Sequence, residues 1–263
     1  MSTHTSRPDG WPTGLGLHHH AQIDSTNEEA RRLASSGARG PAWICADTQS
    51  AGRGRRGRAW MSEPGNLFCT HLYAPECPLP RAAELSFVTA LSVHDAVEGL
   101  GIQGLALKWP NDLLINDAKV SGILIESAPG PSGHPSADPL VAIGVGINIT
   151  AAPDDTPYPA TCLIGHGVEI TPLDLLAKLA AAFQNRAAQW NKGAGFDSIR
   201  NDWLARARGV GGPITIRLHD EVIEGEFVSL DTDGALEIRA GDTLRKISAG
   251  DVFFPDTTSR NSA

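Results

Sequence analysis

The sequence predicts an α+β protein, in which a mixed or antiparallel sheet flanked by helices precedes a small C-terminal β-barrel. Helix and strand patterns are interspersed as far as residue 209, and only strand patterns follow the Gly/Pro break at 209–213. A chain of 263 residues can hold one large domain and a small second one. We expect a main domain over 16–209, a second domain over 213–256, and flexible tails at 1–15 and 257–263.

The first helix is predicted directly after Ile23-Asp24. Two capping boxes overlap there, because Ser25 is followed three residues later by Glu28 and Thr26 by Glu29. The helix is expected to continue to about Ser35.

Local patterns also predict the other elements of the main domain. Apolar residues at helical spacing predict a core helix over 83–100, Thr171-Pro172 begins another, and a shorter one covers 196–207. Asn116-Asp117 is expected to be a hairpin turn, and the Pro/Gly-rich segment 128–139 a mobile surface excursion. The predicted strands are 42–46, 66–72, 105–109, 113–115, 120–126 and 140–149.

The C-terminal segment has the pattern of a small β-barrel. Asp233-Gly234 is a hairpin-turn sequence between two of its strands. A module of this size buries little apolar surface by itself, so it is expected to dock on the main domain. The predicted strands are 214–218, 222–230, 235–238 and 244–248.

Charge argues against nucleic acid as a partner. The chain has 22 Lys and Arg against 30 Asp and Glu, a net charge of -8 that repels a phosphate backbone. Apolar runs are shorter than the ~18 residues of a membrane span, and the N-terminus lacks the apolar stretch of a signal peptide. We therefore expect a cytoplasmic protein with no membrane or nucleic-acid partner.

Cysteine and histidine positions give no metal-site pattern. The four cysteines are not arranged as a Cys-x-x-Cys pair, so free thiols are expected. His18, His19 and His20 are adjacent, and neighbouring side chains of an extended segment point to alternate faces. The triplet is interpreted as chance or as lining on the substrate side.

The most informative segment is Gly52-Arg53-Gly54-Arg55-Arg56-Gly57-Arg58. Glycine allows tight turns and a close approach of the backbone to a ligand, and guanidinium groups match a carboxylate or phosphate at two points. The loop is typical of an anion site, although a solvated basic run and a nucleic-acid patch share this composition.

Five segments together closely resemble the biotin protein ligases over about residues 23–250. Their order and spacing carry the likeness, and the C-terminal β module corresponds to the SH3-like domain of that family. The segments are Asp24–Asn27, Gln49–Trp60, Lys108–Leu113, Lys119–Glu126 and Gly144–Asn148.

The resemblance implies a class II synthetase-like catalytic domain and a two-step reaction. Biotin and MgATP give biotinyl-5'-adenylate and pyrophosphate, and a lysine of a biotin carboxyl carrier protein domain then displaces AMP. Some family members carry an N-terminal DNA-binding domain. Since the first motif here begins near residue 24, we expect a monofunctional ligase.

The resemblance also assigns the biotin site. Lys119 is expected to meet the biotin carboxylate, and Gly122 to keep its strand clear of the ring. For Ser25 and Thr26, simple helix capping is the competing interpretation. The expected biotin-binding residues are Ser25, Thr26, Asn27, Gln49, Gly52, Arg53, Gly54, Arg55, Lys119 and Gly122.

The ATP site and the catalytic residues follow in the same way. Arg55, Lys119 and Asp112 are expected to be catalytic, with Asp112 assisting the carrier lysine. Mg²⁺ is expected to arrive with ATP near Asn148, without a confident protein ligand. Trp60 could equally be a core residue. The residues expected at ATP or the adenylate are Arg55, Arg56, Arg58, Trp60, Lys108, Asn111 and Asn148.

Two other functions share part of this pattern. A lipoate ligase or octanoyl transferase also modifies a carrier lysine, but here Arg58-Ala59-Trp60 replaces the glycines that usually follow the arginine motif. A nucleic-acid-binding module is the alternative from another class. The sequence is compatible with a monomer or a homodimer.

Overall fold

The computed structural model describes residues 7–128, 140–156 and 158–255, and contains five α-helices and twelve strands in those ranges. The helices are α1 Thr26–Ser35, α2 Leu79–Ala82, α3 Leu85–Glu98, α4 Pro172–Trp190 and α5 Phe196–Leu204. The strands are β1 Gly16–Ile23, β2 Ala42–Gln49, β3 Leu67–Tyr73, β4 Leu105–Lys108, β5 Asp112–Ile115, β6 Ala118–Ala128, β7 Leu140–Ile147, β8 Pro213–Arg217, β9 Val222–Leu230, β10 Leu236–Ala240, β11 Thr243–Ile247 and β12 Asp251–Phe253.

The main domain is built on a seven-stranded mixed sheet with the order β1-β2-β3-β7-β6-β5-β4. Strands β1 and β2 are parallel because α1 crosses between them, and the other neighbours are antiparallel. The β5–β6 hairpin turns at Asn116 and Asp117, both with positive φ, as a two-residue turn requires. The predicted α+β class is confirmed.

Helices cover the two faces of this sheet unequally. Cys69 and Val145 belong to the large apolar core that also contains α3 and α4 residues. Leu72 and Ala142, which point to the opposite face, pack against Ala30 of α1 in a smaller cluster. Because α1 covers only one end of its face, the rest of that face is free to form the wall of a cavity.

The beginning of α1 differs from the predicted capping boxes. Ser25 is the N-cap residue by its extended backbone, but its side chain makes no capping hydrogen bond. The glutamates that were expected to cap bind arginines instead, since Glu28 pairs with Arg53 and Glu29 with Arg32 at 2.7 Å. A charged partner competes successfully with the backbone N–H for each carboxylate.

Part of the expected N-terminal tail is packed. Trp11 donates its indole Nε1 to the carbonyl of Leu15 at 3.1 Å, and Leu15 is buried in the main core. The apolar area of these two side chains accounts for the difference from a loose tail. The predicted excursion over 128–139 lies outside the described residues except for Ala128, which ends β6.

The C-terminal module is a five-stranded antiparallel sheet with the order β11-β10-β9-β8-β12. Four of its strands match the predicted patterns, whereas the three-residue β12 is too short to show a periodicity. The module docks on the main domain through Trp109, whose indole Nε1 donates to the carbonyl of Gly234 at 3.2 Å. Trp109 is therefore buried between the main domain and the C-terminal module.

A buried histidine of β3, His71, makes the free energy of unfolding depend on pH. His71 stacks on Trp43 with ring centroids 4.5 Å apart, and neither of its ring nitrogens has a hydrogen-bond partner among the described residues. Burial lowers the pKa of His71 from its ordinary 6.5 to about 3. Between these values the unfolded chain binds a proton that the folded chain does not, so stability falls as pH falls.

Replacing His71 by Phe is expected to remove this contribution while keeping a ring against Trp43. As pH falls from about 6 to 4, the free energy of unfolding should decrease more slowly in His71→Phe than in wild type. The difference between the two slopes should be about 1.4 kcal/mol per pH unit. Urea denaturation at several pH values measures the slopes, with His219→Gln at an exposed position as the control. Identical slopes in His71→Phe and wild type would contradict the assignment.

Candidate active site

A cavity of about 270 Å³ opens on the sheet face that α1 leaves uncovered. Its wall combines the start of α1, the Gly/Arg loop, the β4–β5 connection, the middles of β6 and β7, and β12 of the C-terminal module. Fourteen of the residues singled out in the sequence lie in this wall: Ser25, Thr26, Asn27, Gln49, Arg53, Gly54, Arg55, Arg58, Trp60, Lys108, Asn111, Asp112, Lys119 and Gly122.

One end of the cavity carries neutral hydrogen-bonding groups. Gln49 Oε1 accepts from the backbone N–H of Thr26 at 2.8 Å and lies 3.2 Å from the Thr26 hydroxyl. Gln49 Nε2 donates to Ser62 Oγ at 3.2 Å, which ties this amide to the chain beyond the loop. Hydroxyls and amides that remain uncharged suit a ligand group that is polar but neutral.

The other end carries a buried ion pair. Lys119 Nζ lies 2.6 Å from Asp112 Oδ1, and both side chains are less than 15% exposed. Asp112 pairs with Gly122 of β6, and the Lys119 side chain reaches along β6 to that glycine, where a Cβ would lie 3.1 Å from its Nζ. Lys119 also lies 5.4 Å from the ring centroids of Trp60 and Tyr158. An ammonium held in this way is positioned to meet an anion.

Lys108 adds a second ammonium group near the first. Its Nζ lies 5.0 Å from the ring centroid of Tyr158 and 5.6 Å from that of Phe253. Burial lowers the pKa of Lys108 from its ordinary value, and the nearby Asp112 partly offsets this effect. Incoming negative charge would relieve the cost of keeping these cations out of water.

The arginines of the Gly/Arg loop point in different directions. Arg55 turns into the cavity, where its Nη1 donates to Asn111 Oδ1 at 3.3 Å, and burial lowers its pKa from the ordinary value. Arg53 pairs with Glu28 of α1. Arg56 and Arg58 both reach Asp251 of β12, the former with Nη1 at 3.0 Å. The loop is thus fixed at both ends and presents Arg55 to a ligand.

Two glycines make room for the indole of Trp60. A Cβ on Gly122 would lie 2.9 Å from Cζ3 of that ring, and one on Gly146 would lie 2.6 Å from Cζ2. Any larger residue at either position would displace the ring. Trp60 lies over these glycines in the cavity wall, and its Nε1 is buried without a hydrogen-bond partner among the described residues.

Three singled-out residues lie outside the cavity wall. Gly52 packs behind Gln49, Arg56 faces the C-terminal module, and Asn148 is buried with its amide donating to the carbonyl of Thr161 at 3.1 Å. The histidine triplet lies in β1 and is also absent from the cavity wall. In β1, His19 Nε2 lies 2.7 Å from Asp47 Oδ1.

Sequence reasoning missed part of the wall. Tyr158, Asp155, Asp251 and Phe253 line the cavity but belong to no motif singled out in the sequence. Tyr158 is placed by the segment that follows it, which pairs with Lys119 through the Lys119 N–H and the carbonyl of Pro159 at 2.8 Å.

Comparisons with known proteins identify the family. Residues 20–148 match the biotin/lipoate A/B protein ligase family, and residues 210–254 match the biotin protein ligase C-terminal domain. A biotin--[acetyl-CoA-carboxylase] ligase of Paracoccus denitrificans is 42% identical over 245 residues, which cover 89% of this chain and 98% of that protein. The chain belongs to the biotin protein ligase family. It is therefore an enzyme, a ligase.

Two further relatives of this ligase agree with the assignment. The bifunctional ligase/repressor BirA of Bacillus subtilis is 31% identical, and the match covers 91% of this chain and 74% of that protein. The biotin protein ligase of Aquifex aeolicus, solved in complex with biotin and ATP, superposes with a TM-score of 0.77 at 27% identity, covering 90% and 97% of the two chains. In the described part of this ligase, no helix is long and apolar enough to cross a membrane.

The bridge between the Gly/Arg loop and Asp251 gives a testable property of this ligase. Asp251→Asn removes the negative charge that Arg56 and Arg58 share, so the loop is expected to open more often. Because both arginines are half exposed, we expect a change of only a few-fold. Trypsin should cleave within 53–58 a few times faster than in wild type, whereas Asp220→Asn in the same domain should not change the rate. An unchanged cleavage rate in Asp251→Asn would mean that the bridge to Asp251 does not hold the loop in place.

Proposed function

We propose that this ligase activates biotin with ATP as biotinyl-5'-adenylate and transfers the biotinyl group to a lysine of a biotin carboxyl carrier protein domain. One observation carries the proposal: a single cavity has neutral hydrogen-bonding groups at Thr26 and Gln49 and the cations Lys119 and Arg55 at its other end. Biotin has this polarity, with an uncharged ureido ring at one end and a carboxylate at the other.

In the first step, a biotin carboxylate oxygen attacks the α-phosphorus of ATP, and the bond to the β-phosphate oxygen breaks to release pyrophosphate. The two reactants repel each other as anions, so the main task of the site is neutralisation and alignment. Lys119 is proposed to lie against the carboxylate and the α-phosphate. Arg55 and Lys108 are proposed to face the phosphates from the loop and from β4.

Mg²⁺ is proposed to enter with the ATP phosphates. The carboxylates of the wall, Asp112, Asp155 and Asp251, are candidates for outer contacts, although Asp112 and Asp251 already pair with cations. The one group of three metal-ligating side chains in the described residues, His94, Asp95 and Glu98, lies on α3 away from this wall. The donor set therefore fits a metal carried by its substrate.

In the second step, the amine of the carrier lysine attacks the carbonyl carbon of the adenylate, and the bond to the phosphate oxygen breaks to release AMP. The attacking amine must lose a proton, because the free lysine is mostly protonated at neutral pH. Asp112 is proposed to accept that proton, and Lys119 to stabilise the leaving phosphate. If Asp112→Asn transferred biotin from preformed adenylate at an unchanged rate across pH, Asp112 would serve only to position Lys119.

The test is biotinylation of a carrier domain by the purified protein with biotin and MgATP, read by mass spectrometry. We expect the mass of one biotinyl group on one lysine, dependent on ATP. Parallel reactions with lipoate distinguish the neighbouring activity of the wider family. A mass gain with lipoate and none with biotin would overturn the proposed function.

A further inference from the structure

A chain of hydrogen bonds runs from the cavity into the protein interior beneath it. The Thr26 hydroxyl lies 2.8 Å from Oγ1 of Thr70, which in turn lies 2.6 Å from Oδ1 of Asn27. Asn27 Nδ2 donates to Glu126 Oε2 at 2.8 Å. Thr70 on β3 is fully buried, and Glu126 on β6 is half-buried at the far end. Four side chains from α1, β3 and β6 thus form one connected network.

The donors and acceptors of this chain have one consistent direction. A carboxylate only accepts, so Glu126 requires the NH₂ group of Asn27 to face it. Asn27 Oδ1 then faces Thr70 and can only accept, so the Thr70 hydroxyl donates its single proton to it. Gly144 permits this arrangement, because a Cβ at that position would collide with the Asn27 amide oxygen.

The direction of the chain decides what Thr26 offers to a ligand. Since Thr70 has used its proton, its oxygen can only accept, and the Thr26 hydroxyl donates to it at 2.8 Å. The alternative partner, Gln49 Oε1, lies farther away at 3.2 Å and already accepts from the Thr26 backbone N–H. The Thr26 oxygen therefore presents only lone pairs to the cavity.

We propose that Thr70 and Glu126 are positioning residues that fix the Thr26 hydroxyl as a hydrogen-bond acceptor, which selects a ligand carrying an N–H group at this end of the cavity. The inference rests on the proposed function and identifies the basis of its specificity. The ureido ring of biotin carries two N–H donors, whereas the dithiolane ring of lipoate carries none. A buried acceptor left unpaired by the wrong ligand lowers its affinity.

The test is isothermal titration of biotin into Thr70→Val, which keeps the shape of the side chain but removes its hydroxyl. The Thr26 hydroxyl then loses its nearer acceptor and keeps only Gln49 Oε1 at 3.2 Å, so its proton is held away from the cavity less firmly, and biotin affinity is expected to fall by up to about tenfold. Thr70→Ser restores the hydroxyl and is expected to restore affinity. ATP affinity and the melting temperature of each variant show whether the change is confined to the biotin end.

A thermodynamic cycle that combines the Thr70→Val substitution with a change in the ligand separates this role from a purely structural one. Biotin methylated at either ureido nitrogen lacks one N–H, and wild type is expected to bind at least one of these analogues about tenfold more weakly than biotin. In Thr70→Val that penalty should become smaller, because the orientation of the Thr26 hydroxyl then depends on Gln49 alone. If Thr70→Val does not fold, Glu126→Ala takes its place, with the same expected direction.

Each outcome has a distinct meaning. Full biotin affinity in the variant, or an undiminished methylation penalty, would overturn the inference while leaving the proposed function intact. A wild-type protein that binds no biotin would overturn the proposed function itself.

Discussion

Replacing Lys119 by Ala is expected to lower kcat/KM for adenylate formation by about 10²- to 10³-fold. The change removes the ammonium that meets both reacting anions. It also leaves Asp112 buried without its partner, 9% exposed, beside the place where the biotin carboxylate is proposed to bind. Biotin-dependent ATP–pyrophosphate exchange measures the loss directly.

Two further variants separate these causes. Lys119→Ala combined with Asp112→Asn removes the orphaned negative charge, so part of the biotin affinity should return while kcat stays low. Lys246→Ala, at an exposed lysine of the C-terminal module, is the control and should behave as wild type. An exchange rate in Lys119→Ala within a few-fold of wild type would mean that this lysine does not face the reacting groups.

Replacing Arg55 by Ala is expected to have the second largest effect, a loss of about 10²-fold in kcat/KM for adenylate formation. Burial lowers the pKa of Arg55 from its ordinary value, and its guanidinium points into the cavity beside Asn111. A guanidinium in that place can bind a phosphate at two points without first losing much water.

Arg56→Ala is the matched control for this prediction. It removes the same charge from the neighbouring position of the same loop, but Arg56 lies outside the cavity wall and pairs with Asp251. Its effect on exchange is expected to stay within a few-fold. Equal losses in the two variants would mean that the loop acts through its total charge, and the proposed role of Arg55 would be wrong.

The fold could be predicted from the sequence at positions where local patterns determine the structure. Asn116-Asp117 turns the β5–β6 hairpin as predicted, and Thr171 caps α4 through its hydroxyl, which accepts from the N–H of Asp174 at 3.2 Å. The capping boxes at Ser25 and Thr26 were wrong because arginines compete for the glutamates, Arg32 of the same helix for Glu29 and the distant Arg53 for Glu28. A local motif does not reveal a partner that the tertiary fold brings close.

Some residues of the site could also be predicted from the sequence, and others could not. The Gly/Arg loop stood out because of its residue types, and Lys119 stood out because it matches a family pattern. Thr70 and Glu126 did not, since they lie 43 and 99 positions from Asn27 and meet it only through the strand order β3-β7-β6. Asp251 is 193 positions from Arg58 and reaches it only after the C-terminal module docks.

This cavity is proposed to join a biotin carboxylate to the α-phosphate of ATP. Pyrophosphate exchange into ATP by the wild-type protein, without any carrier, tests that step alone. We expect exchange that requires biotin, is not supported by lipoate, and is strongly reduced in Lys119→Ala. Exchange that proceeds without biotin, or equally well with lipoate, would contradict the assignment of the cavity.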